Sequence, residues 1–224
     1  MNQTGNLYIV ATPIGNPADI TLRALEVLKS VDAIICEETR QGSTLMKRLG
    51  IVPKELISLN EHNEPEQAAD IVMRLFNMEN LALISDCGTP VFADPGHYLV
   101  QQAVDVGIPV IPIPGPSSLM AALSVLEFNM TRFVFGGFLP READLRRREL
   151  HRLHGLGMPV VLMDTPYRLE TLLEDVAKTF GKGQPVTLAC DLTMGSEKIY
   201  RGTINEVRQQ VGKRKSEFIL VIRI

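Results

Sequence analysis

Ser85-Asp86-Cys87-Gly88-Thr89-Pro90-Val91-Phe92-Ala93-Asp94-Pro95-Gly96 follows directly on the apolar run Leu81-Ala82-Leu83-Ile84 and precedes a helix-like segment opening near His97. A strand that runs into two glycines, two prolines and two aspartates cannot continue as strand or helix. The stretch is therefore a rigid loop at the carboxyl end of a strand, the edge at which open α/β sheets bind ligands. It contains no lysine, no arginine and no glycine-rich phosphate cradle, so it suits an uncharged or cationic ligand.

Working outward, short apolar runs rich in β-branched residues at 7–11, 33–36, 56–59, 81–85 and 110–113 alternate with helix-period segments at 21–30, 41–49, 64–77 and 95–106. Leu22, Leu25 and Leu28 share one face of the first helix, and Leu99, Ala103 and Val106 one face of the fourth. Strands separated by helices of this length predict βαβ units with right-handed crossovers and a mostly parallel sheet. Prolines at 109, 112, 114 and 116 punctuate the chain next, followed by a small-residue helix over 117–126. The junction is expected near 114–118, giving an N-terminal α/β domain (1–115) and a C-terminal α/β domain (116–224). The latter reads as strands at 132–135, 160–163, 186–189, 198–201 and 218–222 with helices at 143–156, 168–180 and 205–211. Its last three strands lie close together, which predicts antiparallel pairing and a mixed sheet.

Composition narrows the function. The 224 residues carry a net charge of −3, which argues against a surface coated for bulk nucleic-acid binding while leaving room for a local basic patch. No apolar run approaches the ~18 residues of a membrane span. Met1-Asn2-Gln3-Thr4-Gly5 forms neither a basic nor an apolar leader region, so no signal peptide is expected. Three widely spaced cysteines fit a reducing cytoplasm and neither a disulfide framework nor a CxxC metal site. His151 and His154 can share a helix face but have no third ligand nearby in sequence, so no metal is expected.

The loop after the first strand, Ala11-Thr12-Pro13-Ile14-Gly15-Asn16-Pro17, lacks the G-x-G-x-x-G fingerprint of dinucleotide-binding domains, and no P-loop occurs. It is either a structural turn or part of a site. Cys36-Glu37-Glu38-Thr39-Arg40 is either a solvated helix start or a site in which one carboxylate accepts a proton while Arg40 sets the local charge. His62-Asn63-Glu64 lies on the same sheet edge, and polar clusters at three successive strand ends converge on one cleft. Pro114-Gly115-Pro116-Ser117-Ser118 allows close backbone approach at Gly115 and helix capping at Ser117. Arg141–Arg152 carries five arginines against three acids, either a salt-bridged helix face or a phosphate-gripping edge.

Thr12-Pro13-Ile14-Gly15-Asn16, Glu37-Glu38-Thr39-Arg40, His62-Asn63-Glu64, Ser85-Asp86-Cys87-Gly88-Thr89-Pro90 with Asp94-Pro95-Gly96, Pro114-Gly115-Pro116 and Gly137-Phe138-Leu139-Pro140 occur in that order. Together they resemble the tetrapyrrole-methylase-like superfamily, and within it the bacterial branch that 2′-O-methylates a cytidine of 16S ribosomal RNA in the small ribosomal subunit. The resemblance implies two α/β domains, S-adenosylmethionine held in the cleft between them, and a homodimer, beside the cytoplasmic, metal-free and membrane-free reading of the composition. It maps cofactor contacts onto Asp86, Gly88, Thr89, Pro90, Phe92, Ser117 and Ser118, with Met163 and Ala189 in the second domain. Glu37, Glu38 and Arg40 are the expected catalytic residues. Pro13, Asn16, His62, Asn63, Arg146, Arg147 and Arg148 are the expected substrate contacts.

Three departures accompany the match. Met163-Asp164-Thr165-Pro166-Tyr167-Arg168 stands where the family has aromatic-Glu-Ser-Pro-His-Arg, and Cys190-Asp191-Leu192-Thr193-Met194 where it has Arg-Glu-Leu-Thr-Lys. Lys215-Ser216-Glu217-Phe218 replaces Lys-Gly-Glu-Phe. The alternatives are a methyltransferase of the same fold acting on a small, tetrapyrrole-like molecule, or a non-catalytic module that binds the cofactor.

Overall fold

Strands covered on both faces read as unbroken apolar runs, and two of the three interior strands of the first sheet do so: β2 (Ala33–Cys36) and β4 (Leu81–Ile84) are buried at every position. The computed structural model describes residues 4–224, so Met1–Gln3, part of the stretch read for a leader, lie outside the described residues. The chain divides into two units, Met1–Ser117 and Ser118–Ile224.

In the first unit, β1 (Leu7–Val10), α1 (Leu22–Ser30), β2, α2 (Thr39–Arg48), β3 (Leu56–Ser58), α3 (Glu64–Phe76), β4, α4 (His97–Asp105) and β5 (Val110–Ile113) follow one another. The strands pair in the order β3-β2-β4-β1-β5, every pair parallel. Helices α1 and α2 pack Ala24, Leu28 and Met46 against one face of this sheet. Helices α3 and α4 pack Ala68, Ile71, Leu75, Leu99 and Ala103 against the other. The chain thus changes face between β1 and β4, which are neighbours, and their carboxyl ends form a topological switch point.

Caps set the helix boundaries. Thr21 accepts the amide of Ala24 and opens α1. Helix α4 starts two residues later than its pattern predicts because Gly96, at φ +124°, has left helical space. Its first amides are satisfied from another helix: Glu64 Oε1 accepts from the N–H groups of Gly96, Tyr98 and Leu99 at 2.9, 2.9 and 3.2 Å.

The second unit contains α5 (Ser118–Ser124), β6 (Val134–Phe138), α6 (Ala143–His154), β7 (Val160–Asp164), α7 (Leu169–Phe180), β8 (Pro185–Cys190), β9 (Lys198–Thr203), α8 (Ile204–Val211) and β10 (Phe218–Ile222). Its sheet, β6-β7-β10-β8-β9, is mixed as expected: β6 and β7 are parallel, and the remaining pairs antiparallel. β10 enters between β7 and β8, so the last two strands never pair with each other. Helices α6, α7 and α8 cover one face, while Leu119, Ala122 and Leu123 of α5 pack on the other. β6 runs three residues past its predicted end because a register shift between Phe135 and Gly137 absorbs the glycine pair.

One expectation is overturned here. Arg146 does not face phosphate: only 6% of it is exposed. Its Nε and Nη2 lie 2.8 and 2.7 Å from Asp175 Oδ2, and Nη1 donates to the Arg141 carbonyl at 2.8 Å. The periodicity that buries Leu150 and Leu153 of α6 carries Arg146 onto the same face. Removing one partner of a buried pair strands a charge, so Asp175→Asn should cost about 3 kcal/mol in chemical denaturation. Arg147, exposed and paired with Asp144 within its own helix, should cost under about 0.5 kcal/mol as Arg147→Gln. Equal losses for the two variants would refute the buried pair.

Candidate functional site

Just past the switch point the two neighbouring strands are laced together by their loops. Thr12 and Gly88 form an antiparallel bridge, with Thr12 N–H to Gly88 O at 2.8 Å and Gly88 N–H to Thr12 O at 3.2 Å. The fully buried Thr12 hydroxyl donates to Ser85 O at 3.0 Å. Gly88 sits at φ +86°, where a side chain would be strained, and a Cβ there would also press on Ile14 at 3.2 Å. The Thr89 hydroxyl donates to Pro116 O at 3.2 Å, joining the β4 and β5 loops. Gly115 lies so close to β1 that a Cβ would meet Ala11 Cβ at 3.0 Å. Val91 holds φ +71°, an outlier for a β-branched residue. These loops are built to hold one shape.

Carboxylates dominate the electrostatics of this edge. Glu37, half-buried at the end of β2, has its pKa pushed up first by burial and then by the charges of Asp86, Asp94, Glu38 and Glu61. Asp86, also half-buried, is raised by burial and by Glu38 and Asp94, and its Oδ1 is buried with no hydrogen-bonding partner. Burial and Asp86 push the Cys36 thiol up to about 11, which makes it inert packing against α2. No lysine or arginine occurs between Arg74 and Arg132, and only acids act on the charges of Glu37 and Asp86. The clustering of Glu61 and Asp94 with Glu37 was missed by sequence reasoning, although Asp94 lies within, and Glu61 beside, motifs it singled out. Among the described residues no group of three or more His, Cys, Asp or Glu side chains is placed to hold a metal ion.

The other expected residues of the first unit have varied environments. Glu38 and Arg40 are exposed at the start of α2. Pro13 is buried, while Asn16 accepts the Ala18 amide and caps a short helical turn. His62 is exposed, its Nε2 3.5 Å from Glu61. Asn63 is committed to its own turn, accepting from Asn60 N–H at 2.7 Å and donating to Ser58 O at 3.2 Å. Pro90 is buried and Phe92 exposed; Ser117 is half-buried just before α5, which Ser118 opens. In the second unit Met163 of β7 and Ala189 of β8 both face Ile219 of β10 in register, so one row of the sheet carries both. Arg147 and Arg148 are exposed on α6. Charge divides unevenly between the units. The first has seven Lys and Arg against fourteen Asp and Glu, the second sixteen against twelve, or −7 and +4.

Comparison with known proteins bears on the family and the fold. Residues 6–208 match the family model described as Tetrapyrrole (Corrin/Porphyrin) Methylases. A protein of Escherichia coli O157:H7 named Ribosomal RNA small subunit methyltransferase I is 39% identical over 99% of this chain and 78% of its own length. Its namesake in Xylella fastidiosa is 40% identical over 100% of this chain and 83% of its own. The solved structure of uroporphyrin-III-C-methyltransferase from Thermus thermophilus superposes with a TM-score of 0.66 at 20% identity, covering 98% of this chain and 94% of that one, a likeness of fold. The family-model match over most of the chain and these relatives place the chain in the tetrapyrrole methylase family, and it is a methyltransferase.

Proposed function

We propose that the protein transfers a methyl group from S-adenosylmethionine to a ribose 2′-hydroxyl of a cytidine in small-subunit ribosomal RNA. The observation that carries the cofactor half is the cluster of carboxylates around Asp86, whose buried, unpartnered Oδ1 suits a cationic ligand. The names of the relatives, matched over nearly the whole chain, support the RNA half. When bound, S-adenosylmethionine would supply a sulfonium-activated methyl carbon open to an acceptor oxygen opposite the sulfur, with a neutral thioether as the leaving group.

The chain's own residues then have defined tasks. Asp86, Gly88, Thr89, Pro90 and Phe92, with Ser117, hold the cofactor from the first unit's loops; Ser118, Met163 and Ala189 are the contacts proposed in the second. Fixed loops keep the donor oriented, and positioning supplies much of the rate. Glu37, its pKa raised by burial and by the neighbouring carboxylates, takes the proton from the attacking hydroxyl as general base. Glu38 adds negative charge beside it, and Arg40, with His62, orients the RNA. Pro13, Asn16 and Asn63 shape that side of the site through their loops, and Arg147 and Arg148 contact phosphate. We further propose a cytoplasmic homodimer; no helix among the described residues is long and apolar enough to cross a membrane.

Glu37→Gln combined with Glu38→Gln should lower kcat at least about 100-fold on small ribosomal subunits lacking the modification. Affinity for S-adenosylhomocysteine, read by calorimetry, should stay within roughly fivefold; unchanged turnover would remove both residues from the mechanism. Asp86→Asn should weaken S-adenosylmethionine binding yet raise the melting temperature of the ligand-free protein by about 2 °C, because it removes a carboxylate buried without a partner.

The pH dependence has a definite sign. Asp86 and Glu37 titrate above the ordinary carboxylate range, so lowering pH through that raised range neutralises them and removes attraction for a cation. Calorimetry should show S-adenosylmethionine affinity rising with pH through that range and levelling above it. S-adenosylhomocysteine, without the sulfonium, should vary less. Tighter binding of the sulfonium at low pH would contradict the assignment.

A further inference from the structure

Two large aromatic side chains stand exposed on one edge of the second unit's sheet: Phe138 at 51% and Tyr167 at 77%. Phe138 ends β6 in register with Met163 of β7, and Tyr167 lies three residues beyond the end of β7. Phe218, which opens β10, pairs with Asp164, so the segment leading into β10 reaches the same edge. It brings Lys215, whose Nζ sits 4.8 Å from the Tyr167 ring centroid. Beside Phe138 lies a groove of about 490 Å³ that includes Leu139, Pro140, Leu145, Arg148 and Arg152 in its walls.

The backbone beneath these rings is clamped. Arg168 donates to the carbonyls of Leu139 and Pro140 at 3.0 and 2.8 Å, and Asp164 holds Arg168 at 3.2 Å. The buried Arg146 takes the next carbonyl, that of Arg141. The register shift at Gly136 and Gly137, the latter at φ +57°, turns Phe138 outward while Leu139 stays buried. An exposed phenyl ring at a strand end whose following loop is held by two arginines loses little conformational freedom when something stacks on it.

We propose that this edge is a single-stranded RNA platform: bases stack on Phe138 and Tyr167 while Arg148 and Lys215 track phosphates. Exposed rings interleaved with cations are how sequence-tolerant single-strand sites are built. The unit's charge of +4, within a chain whose net charge is −3, favours a polyanionic occupant. Arg146 and Arg168 are positioning residues for the platform. The proposal rests on the reading of RNA as acceptor and deepens it by locating where the strand lies.

Fluorescence anisotropy of the full-length protein with a labelled single-stranded pyrimidine-rich oligoribonucleotide tests it. Phe138→Ala and Tyr167→Ala should each weaken binding about tenfold. Arg148→Gln and Lys215→Gln should each lower the slope of log affinity against log salt by about 0.7, with melting temperatures near that of the parent protein. If the parent protein binds RNA and methylates subunits while all four variants bind as it does with unchanged slopes, the platform is refuted and the RNA reading stands. If the parent protein neither binds nor methylates RNA, both fall.

Discussion

The bridge between Thr12 and Gly88 is the constraint on which the first unit's site depends. β1 and β4 run parallel, so no tight turn links them and nothing in the sheet itself dictates what their loops do after the last ladder bond. A pair of reciprocal hydrogen bonds, backed by the buried Thr12 hydroxyl on Ser85 O, ties the loops together at the one point where helices leave on opposite faces. Gly88 makes the bridge possible because its φ of +86° is strained for other residues. With the loops tied, Asp86 is held half out of water, and the charges of Glu38 and Asp94 act on a carboxyl that cannot turn away.

That arrangement sets stability against function. Carboxylates crowded at the ends of β2 and β4 repel one another, and one oxygen of Asp86 has no donor. Each ionisation is resisted in the ligand-free fold, which is why the pKa values rise. The same crowding of carboxylates makes a potential that a sulfonium would relieve. In the second unit the balance is reversed: acids are outnumbered, and exposed rings stand near cations. A cationic cofactor and a polyanionic acceptor call for opposite fields, and the two units carry opposite net charges.

The arginines of α6 show how one residue type serves different ends. Arg146 is consumed by Asp175 and a backbone carbonyl. Arg147 and Arg152 pair with acids three residues away on the same helix. Arg148, exposed, meets the groove beside Phe138. Spacing along a helix assigns a face, and burial of that face assigns the role.

Much of the architecture was readable in advance. Apolar runs of four or five residues separated by amphipathic segments specified the parallel sheet, and glycine-proline clusters specified where its loops lie, because both signals are local and arise from backbone sterics and periodicity. The acidic edge was readable in part: Glu37, Glu38 and Asp86 stood out beside their strands, whereas Glu61 and Asp94 join them only through the strand order β3-β2-β4, which no local pattern encodes. The same holds for Glu64 capping α4 from across the fold and for Arg146 turning inward to Asp175. Sequence alone determined the elements and the chemistry at their ends. Tertiary structure decided which of those ends meet, since desolvation and charge pairing depend on neighbours distant along the chain.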